Sequence, residues 1–161
     1  MTIRMAIILI LSAMAFNAVA ADKIVTPRFV SLKASEVNVR TGPGPRYQIK
    51  WVLVKKEMPV EIITEFDQWR KIRDIGGDEG WVHKSMLMGK RTAIINSASG
   101  QRQTLYKSPD AMSRPELFAE NGVIGILISC KHDWCRLKIE GTKGWIEKKN
   151  LWGIYPEEEF E

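Results

Sequence analysis

The sequence has few of the residues on which enzymes and metal sites depend. It contains two cysteines and two histidines, and its serine, aspartate and histidine residues form no nucleophile-elbow pattern. No pair of acidic residues lies in the apolar setting that general acid–base catalysis needs. The sequence therefore predicts no catalytic residues, no bound metal and no cofactor, and it argues against an enzyme.

Long apolar runs are also lacking once the first 20 residues are passed. The beginning of the chain has an early cation at Arg4, an apolar stretch at residues 5–16 and small residues at 18–20. That order is typical of a secretory signal peptide, and the apolar stretch is shorter than the roughly 20 residues of a membrane-spanning helix. We expect residues 1–20 to be cleaved and the protein to be periplasmic or secreted, with no stable membrane insertion afterwards. An uncleaved membrane anchor is the alternative.

The formal net charge at pH 7 is +5, and the charges are unevenly distributed. Cations crowd the first half of the chain, whereas residues 156–161 form an acidic C-terminal tail. A mild positive excess favours anionic surfaces without demanding nucleic acid, so no nucleic-acid partner is predicted. A solvated cationic face is the simplest interpretation.

One unit of sequence occurs twice. GWVHKSML at residues 80–87 returns as GWIEKKNL at residues 144–151, and the segments before them align when Trp69 is placed on Trp134. The spacing of the two copies is too long for a solenoid repeat and suits a duplicated small domain.

We therefore predict domains at residues 34–90 and 100–155, with the polar residues 96–102 as a short connection between them. Val60 and Ile62 alternate with Glu61, which is the period of half-buried strands. About five short strands in each unit, joined by Gly and Pro turns, predict an all-β protein made of two small barrels. Only short turns at 84–87 and at the equivalent 148–151 have helical character.

These segments carry a resemblance. The order VNVRTGPG at residues 37–44, Trp69 with Ile72, and GWVHKSML resembles the bacterial SH3-like, or SH3b, domain. Further segments such as CKHDWC resemble the double-SH3 family of exported bacterial proteins. The resemblance implies two tandem SH3-like β-barrels in the cell envelope, where such domains mostly have binding or accessory roles. It implies no particular biochemical activity.

Cys130 and Cys135 are separated by the four residues KHDW. In a hairpin closed by a four-residue loop, the flanking positions face each other with Cα atoms about 4.5–5.5 Å apart, within reach of a disulfide. We predict this disulfide, because a metal site that adds His132 would lack a fourth ligand. An envelope thiol/disulfide-active or hydrolytic protein that uses the two cysteines is an alternative function.

Several tryptophans are out of phase with the buried residues of their strands. Trp69 and Trp134 point away from the inward set, and Trp81 and Trp145 follow a glycine that allows a neighbouring backbone to approach. A tryptophan that points outward covers a loop, the sister domain or a ligand.

The resemblance to SH3b domains implies that the RTGPGPRY loop lines a ligand groove. This makes Arg40 and Tyr47 ligand-binding candidates, and the position of the tryptophans on their strands adds Trp69, Trp81, Trp134 and Trp145. We interpret the chain as a non-catalytic exported binding module whose partner is a cell-wall peptide of peptidoglycan or an envelope protein. A structural adaptor whose aromatic residues are all interior is a further alternative.

Overall fold

The computed structural model describes residues 26–161. The signal peptide predicted at residues 1–20 lies outside this range. Regular structure within residues 26–161 consists of strands and two short 3₁₀ turns, which confirms the all-β prediction. No helix in the described part of the chain has the length and apolar character needed to cross a bilayer.

The strands form two seven-stranded antiparallel sheets. The first sheet contains β1 (Arg28–Leu32), β2 (Val37–Arg40), β3 (Ile49–Leu53), β4 (Pro59–Phe66), β5 (Trp69–Arg73), β6 (Glu79–His83) and β7 (Leu87–Met88). The second contains β8 (Thr92–Ile95), β9 (Gln103–Tyr106), β10 (Pro115–Ala119), β11 (Ile124–Lys131), β12 (Trp134–Ile139), β13 (Thr142–Glu147) and β14 (Leu151–Trp152).

The two sheets have the same topology. Their spatial orders are β3-β2-β6-β5-β4-β1-β7 and β10-β9-β13-β12-β11-β8-β14, so every strand of the first sheet has a counterpart in the second. Seven strands in each sheet exceed the five or so expected, because β1 and β8 precede the predicted domain ranges and pair with the two-residue edge strands β7 and β14. Closure of either sheet into a barrel stays a prediction.

Each sheet has its own apolar core, built by the alternation of inward and outward side chains. The fully buried side chains of the first core include Leu32, Val37, Val60 and Ile72. Those of the second include Ile95, Leu105, Leu137 and Ile146. The binary pattern of the strands therefore separates two small cores.

Two equivalent hairpins, β4–β5 and β11–β12, reverse the chain in two residues. Asp67 and His132, which begin these turns, both have φ of 48°, in the left-handed region where Asp and His are tolerated better than most residues. Lys131 consequently pairs with Trp134. The prediction of a four-residue loop between the cysteines was wrong. The loop has two residues, because the left-handed conformation of His132 allows a tighter reversal.

The 3₁₀ turns Lys84–Met86 and Lys148–Asn150 follow β6 and β13 at equivalent places and confirm the predicted short helical turns. The first residue of each turn donates its backbone N–H to the neighbouring hairpin, to the carbonyl of Gln68 at 2.8 Å and to that of Asp133 at 2.7 Å. Each turn is thereby fixed against the tip of a hairpin.

The chain passes from one sheet to the other at residues 89–91, because β8 pairs with β11 and β14 of the second sheet. The polar residues 96–102 connect β8 to β9 within the second sheet, so their assignment as the connection between domains was wrong. All four residues of β8 are buried, and its pairing with β11 and β14 makes it a strand of the second sheet. The domain ranges 34–90 and 100–155 stay predictions, and β1 and β8 lie before them.

A seam of direct contacts joins the two sheets. Thr92 is 1% exposed, and its hydroxyl donates to the carbonyl of Glu57 at 2.7 Å and lies 2.7 Å from the hydroxyl of Ser31. The ring of Phe29 contacts Trp152 and Tyr155, with centroids 5.1 and 4.8 Å apart. Polar and aromatic contacts thus hold the halves together.

Glu61 is buried by contacts at the seam, although the alternation of its strand predicts an exposed side chain. Strand alternation places it on the face away from the core, where solvent would be expected, yet it is only 9% exposed. The Tyr155 hydroxyl covers it and donates to Glu61 Oε1 at 2.8 Å. Burial, together with this hydrogen bond, raises the pKa of Tyr155.

The acidic C-terminal residues pack on the second sheet. The backbone of Phe160 exchanges two hydrogen bonds with Cys130, at 2.8 and 3.1 Å. Glu161 forms an ion pair of 2.8 Å with Lys131, and hydrogen bonding within this pair lowers the pKa of Glu161 and raises that of Lys131. The end of the chain therefore adds a short edge to β11.

Candidate functional site

The outward face of the first sheet carries a tryptophan between two cations. Gly80 and Val82 are buried on β6, so Trp81 between them points away from the core and is half-buried. The strand register places Trp81 opposite Arg40 of β2 and Lys71 of β5. An indole beside cations suits contact with a peptide or glycan. We call Arg40, Lys71 and Trp81 the first outer row.

The second sheet has an equivalent row. Trp145 on β13 lies opposite Tyr106 of β9 and Arg136 of β12. The preceding residue, Gly144, is buried where a Cβ atom would lie 2.6 Å from the Cβ of Leu105, so only glycine fits without a shift of its neighbour. We call Tyr106, Arg136 and Trp145 the second outer row.

Trp69 and Trp134 occupy equivalent positions beside the two rows but contact different neighbours. Trp69 packs edge-on against His83, with ring centroids 5.4 Å apart. Trp134 packs edge-on against Tyr106 at 6.0 Å, while the residue opposite it in the register is Glu147. Trp134 therefore contacts the second outer row directly, whereas Trp69 packs on a histidine to one side of the first.

Ion pairs lie next to the first outer row, two residues from Lys71 and Trp81 along β5 and β6. Glu79 accepts hydrogen bonds from Lys71 at 2.7 Å and from Arg73 at 2.8 Å, and Arg73 also reaches Glu61 at 3.1 Å. The bond from Lys71, followed by that from Arg73, lowers the pKa of Glu79, and the bond to Glu79 raises the pKa of Arg73. An anionic ligand at the first outer row would compete with Glu79 for Lys71.

The Gly-Pro loop, residues 41–48, lies at one end of the first outer row. Arg40 Nη1 donates to the carbonyls of Pro45 at 3.1 Å and Tyr47 at 2.7 Å. The Tyr47 ring lies against Gly42, where any Cβ atom would overlap it. Tyr47 is still 37% exposed. Arg40 thus holds the loop in place, and Tyr47 presents part of its ring to solvent.

The six residues predicted from the sequence fall into two groups, one on each sheet. Sequence reasoning missed three of their neighbours, which are Lys71, Tyr106 and Arg136. Lys71 and Arg136 each lie two residues after an aligned tryptophan, the spacing that returns a strand to the same face. Tyr106 aligns with Arg40 when the two copies are superposed. Ligand contact by any of these residues stays a prediction.

Cys130 and Cys135 lie directly opposite each other in the β11–β12 hairpin, as predicted, but their Cα atoms are 4.1 Å apart, closer than the expected range. Their exposed fractions are 1% and 0%. His132 in the turn between them is exposed and lies 3.6 Å from Glu159. Over residues 26–161 no three His, Cys, Asp or Glu side chains are arranged to hold a metal ion.

Comparison with known proteins identifies the repeated unit. The family model of the bacterial SH3 domain matches the chain twice, at residues 33–89 and 99–153. The chain is also similar to YrvJ of Bacillus subtilis (strain 168), a proposed N-acetylmuramoyl-L-alanine amidase, with 29% identity over 127 residues. That match covers 73% of this chain and 24% of YrvJ, so the chain spans about a quarter of the length of this relative.

Two solved structures from Trichomonas vaginalis are similar in part. NlpC2 matches with a TM-score of 0.38 and 14% identity, covering 84% of this chain and 51% of that one. NlpC1 matches with a TM-score of 0.36 and 14% identity, covering 86% and 50%.

The two family matches together cover well over half of the chain, and each falls on one of the two sheets. The shared strand order and the paired outer rows agree with a duplicated unit. The chain therefore belongs to the bacterial SH3 domain family.

Proposed function

We propose that this protein is a non-catalytic exported module that binds the bacterial cell envelope, with the peptide part of peptidoglycan as its ligand. The observation that carries the proposal is the outer row present on both sheets. In each row a half-buried tryptophan, Trp81 or Trp145, stands on the outward face with a cation on a neighbouring strand. The structure offers the same kind of contact twice.

The chemistry of the rows suits a cell-wall peptide. The flat face of an indole buries short aliphatic groups, and a neighbouring arginine or lysine pairs with a carboxylate. Peptidoglycan peptides carry both kinds of group. Neither contact requires a bond to be broken, so binding without turnover accounts for the residues present.

Family membership supports an envelope ligand, because bacterial SH3 domains are cell-wall binding modules. YrvJ is, by its name, an amidase of N-acetylmuramoyl-L-alanine, a linkage found in peptidoglycan. The match covers only about a quarter of YrvJ. We therefore transfer to this chain a cell-wall ligand and no amidase activity.

The proposal also includes an oxidising compartment for the protein. We assign Cys130 and Cys135 to a structural disulfide of a periplasmic or secreted protein, a compartment in which such bonds persist. Both cysteines are buried, whereas thiol exchange requires an accessible sulfur. Their burial supports a structural role over a thiol-active one.

Co-sedimentation with purified peptidoglycan tests the proposal. The double variant Trp69→Ala/Trp81→Ala removes the aromatic surface of the first face, and Trp134→Ala/Trp145→Ala removes that of the second. We expect each to weaken binding by about tenfold or more, the typical effect of losing a central aromatic contact. Comparing the two double variants shows which sheet contributes more.

Phe118→Ala is the matched control. Phe118 is an aromatic residue that is 55% exposed on the edge strand β10, outside both outer rows, so its loss should leave binding unchanged. Thermal unfolding shows that each variant is folded. Double variants that sediment like the wild type would refute the proposal. Binding to envelope proteins but not to peptidoglycan would replace the ligand with a protein partner.

A further inference from the structure

A cavity of about 490 Å³ lies beside the second sheet. It is bounded by the tip of the β11–β12 hairpin, the 3₁₀ turn after β13 and the chain beyond β14. Its volume is within the range of small-molecule sites. The lining residues are Asp133, Glu147, Lys148, Lys149, Leu151, Ile154 and Pro156.

Lys148 is a buried cation in this lining. The residue is 8% exposed, and its Nζ donates one hydrogen bond, to the carbonyl of Pro156 at 3.0 Å. Across residues 26–161, no carboxylate lies within 4.0 Å of this Nζ. An ammonium group has three N–H donors, so two remain for a further acceptor.

A buried charge without a counter-ion is unfavourable, and it is stabilised when an opposite charge forms hydrogen bonds with it. Glu147 does not supply this charge, because it pairs with Lys149 at 2.8 Å. A ligand carboxylate that enters the cavity would accept from Lys148 in a charge-assisted hydrogen bond. The arrangement thus has an anion-binding group in place before any ligand arrives.

The remaining lining restricts the size and charge of the ligand. Leu151, Ile154 and Pro156 offer apolar surface to a short aliphatic body. Asp133 and Glu147 lie beyond ion-pair distance of Lys148, and with Lys148 and Lys149 they give the lining no net formal charge, which disfavours a multiply charged anion such as phosphate. A single carboxylate on a small apolar body fits these groups best.

The equivalent lysine of the first sheet shows what creates the site. Lys84 begins the same 3₁₀ turn but is exposed. Lys148 is buried because the chain beyond β14 returns over it and places the Pro156 carbonyl on its ammonium group. A smaller cavity of about 250 Å³ lies at the equivalent turn, lined by Lys84 together with Arg28 and Arg70. The covered lysine, and not the cavity itself, is therefore what distinguishes the second sheet.

From these contacts we propose that the Lys148 cavity is a binding site for the carboxylate of a small aliphatic amino acid or peptide C-terminus. The site is separate from the two outer rows and does not rest on the function proposed above. Lys148 binds the carboxylate, and the three apolar residues contact the aliphatic part. No covalent step is involved.

Titration with the dipeptide alanyl-alanine, followed by protein NMR, tests this site. We expect a Kd of about 1–10 mM, typical of so small a ligand, with the first shifts at the amides of Lys148, Leu151 and Ile154. Alanyl-alaninamide, which lacks the carboxylate, should bind at least about tenfold more weakly. Inorganic phosphate should also bind more weakly than the dipeptide.

Lys148→Met removes the charge and keeps the length of the side chain, so it should also weaken dipeptide binding at least about tenfold. Lys84→Met is the matched control and should bind like the wild type. The two dipeptides compared on the wild-type protein give an answer even when Lys148→Met does not fold. Equal binding of the acid and the amide, tighter binding of phosphate, unchanged binding by Lys148→Met, or shifts absent from the cavity would each overturn the proposal.

Discussion

The two sheets share a strand order and differ at their ends. Both have an outward tryptophan on the sixth strand of the unit and a 3₁₀ turn after it. The first sheet adds a Gly-Pro loop held by Arg40, whereas the second adds the paired cysteines and a covered Lys148. The alternating core specifies the common topology, and the loops and chain ends give each sheet its own surface.

The outward faces also differ in charge at equivalent positions. Arg73 lies opposite Glu79 in the first sheet, with an ion pair of 2.8 Å. Lys138 lies opposite Lys143 at the same place in the second sheet. Opposite charges stabilise a cross-strand pair and like charges destabilise it. The second face is therefore more open to an anionic partner at this position.

The largest expected effect comes from the two cores. Ile72 and Leu137 are equivalent and each is 0% exposed, so Ile72→Ala and Leu137→Ala should each cost about 2–5 kcal/mol. Urea denaturation followed by tryptophan fluorescence measures this loss. Because Thr92 and Tyr155 connect the sheets, we expect one transition that both variants shift.

Two separate transitions, each moved by only one of these variants, would contradict coupling through the seam. Val52→Ala is a suitable control, because Val52 is 43% exposed and its truncation should have little effect.

An intermediate effect is expected at the paired cysteines, which only the second sheet has. The double variant Cys130→Ala/Cys135→Ala should lower the free energy of unfolding by about 2 kcal/mol, the chain-entropy value for a loop this short. Denaturation with and without reductant measures it in parallel. Reductant should destabilise the wild type by a similar amount and leave the double variant unaffected. A wild type that is indifferent to reductant would rule out the structural disulfide.

The smallest effect concerns the charged pair on the outward faces. Hydrogen bonds from Lys71 and Arg73 lower the pKa of Glu79 below 4.5, so the carboxylate contributes stability above that pH and loses it as the pH falls through the folded-state pKa. Glu79→Gln should be less stable than the wild type at pH 7, and the difference should shrink as the pH falls below 4.5. Thermal unfolding between pH 2 and 7 follows this change.

The reciprocal substitution sharpens the same comparison. Lys143→Glu gives the second sheet the charge arrangement of the first, and we expect a gain of less than about 1 kcal/mol. A loss of stability at neutral pH would contradict the expectation that an opposite-charge pair stabilises the second sheet as it does the first.

The sequence predicted those features that depend on neighbours along the chain. The alternation of Val60 and Ile62 indicated strands, the recurrence of GWVHKSML indicated duplication, and the spacing of Cys130 and Cys135 indicated a facing pair. Each depends on residues a few positions apart, so the local pattern is enough. The resemblance that these segments carry was confirmed by the family matches.

Features that depend on distant segments were not predicted. The residues near Glu61 in the sequence do not indicate that Tyr155 covers it. The segments GWIEKKNL and GWVHKSML are too similar to predict that Lys148 is buried and Lys84 is exposed. The membership of β8 in the second sheet depends likewise on pairing with β11. These outcomes are decided by tertiary contacts between residues far apart in the chain.

The seam has a consequence for ligands built from identical subunits. Thr92 and Tyr155 form hydrogen bonds across the seam. These bonds restrain the distance between the indoles of Trp81 and Trp145, which a flexible linker would leave free to vary. A polymer whose repeat distance matches that separation could contact both indoles at once. Once it is bound at the first indole, its effective concentration at the second is set by the distance between them. The repeat distance of the polymer would then select among polymers that offer the same chemical groups.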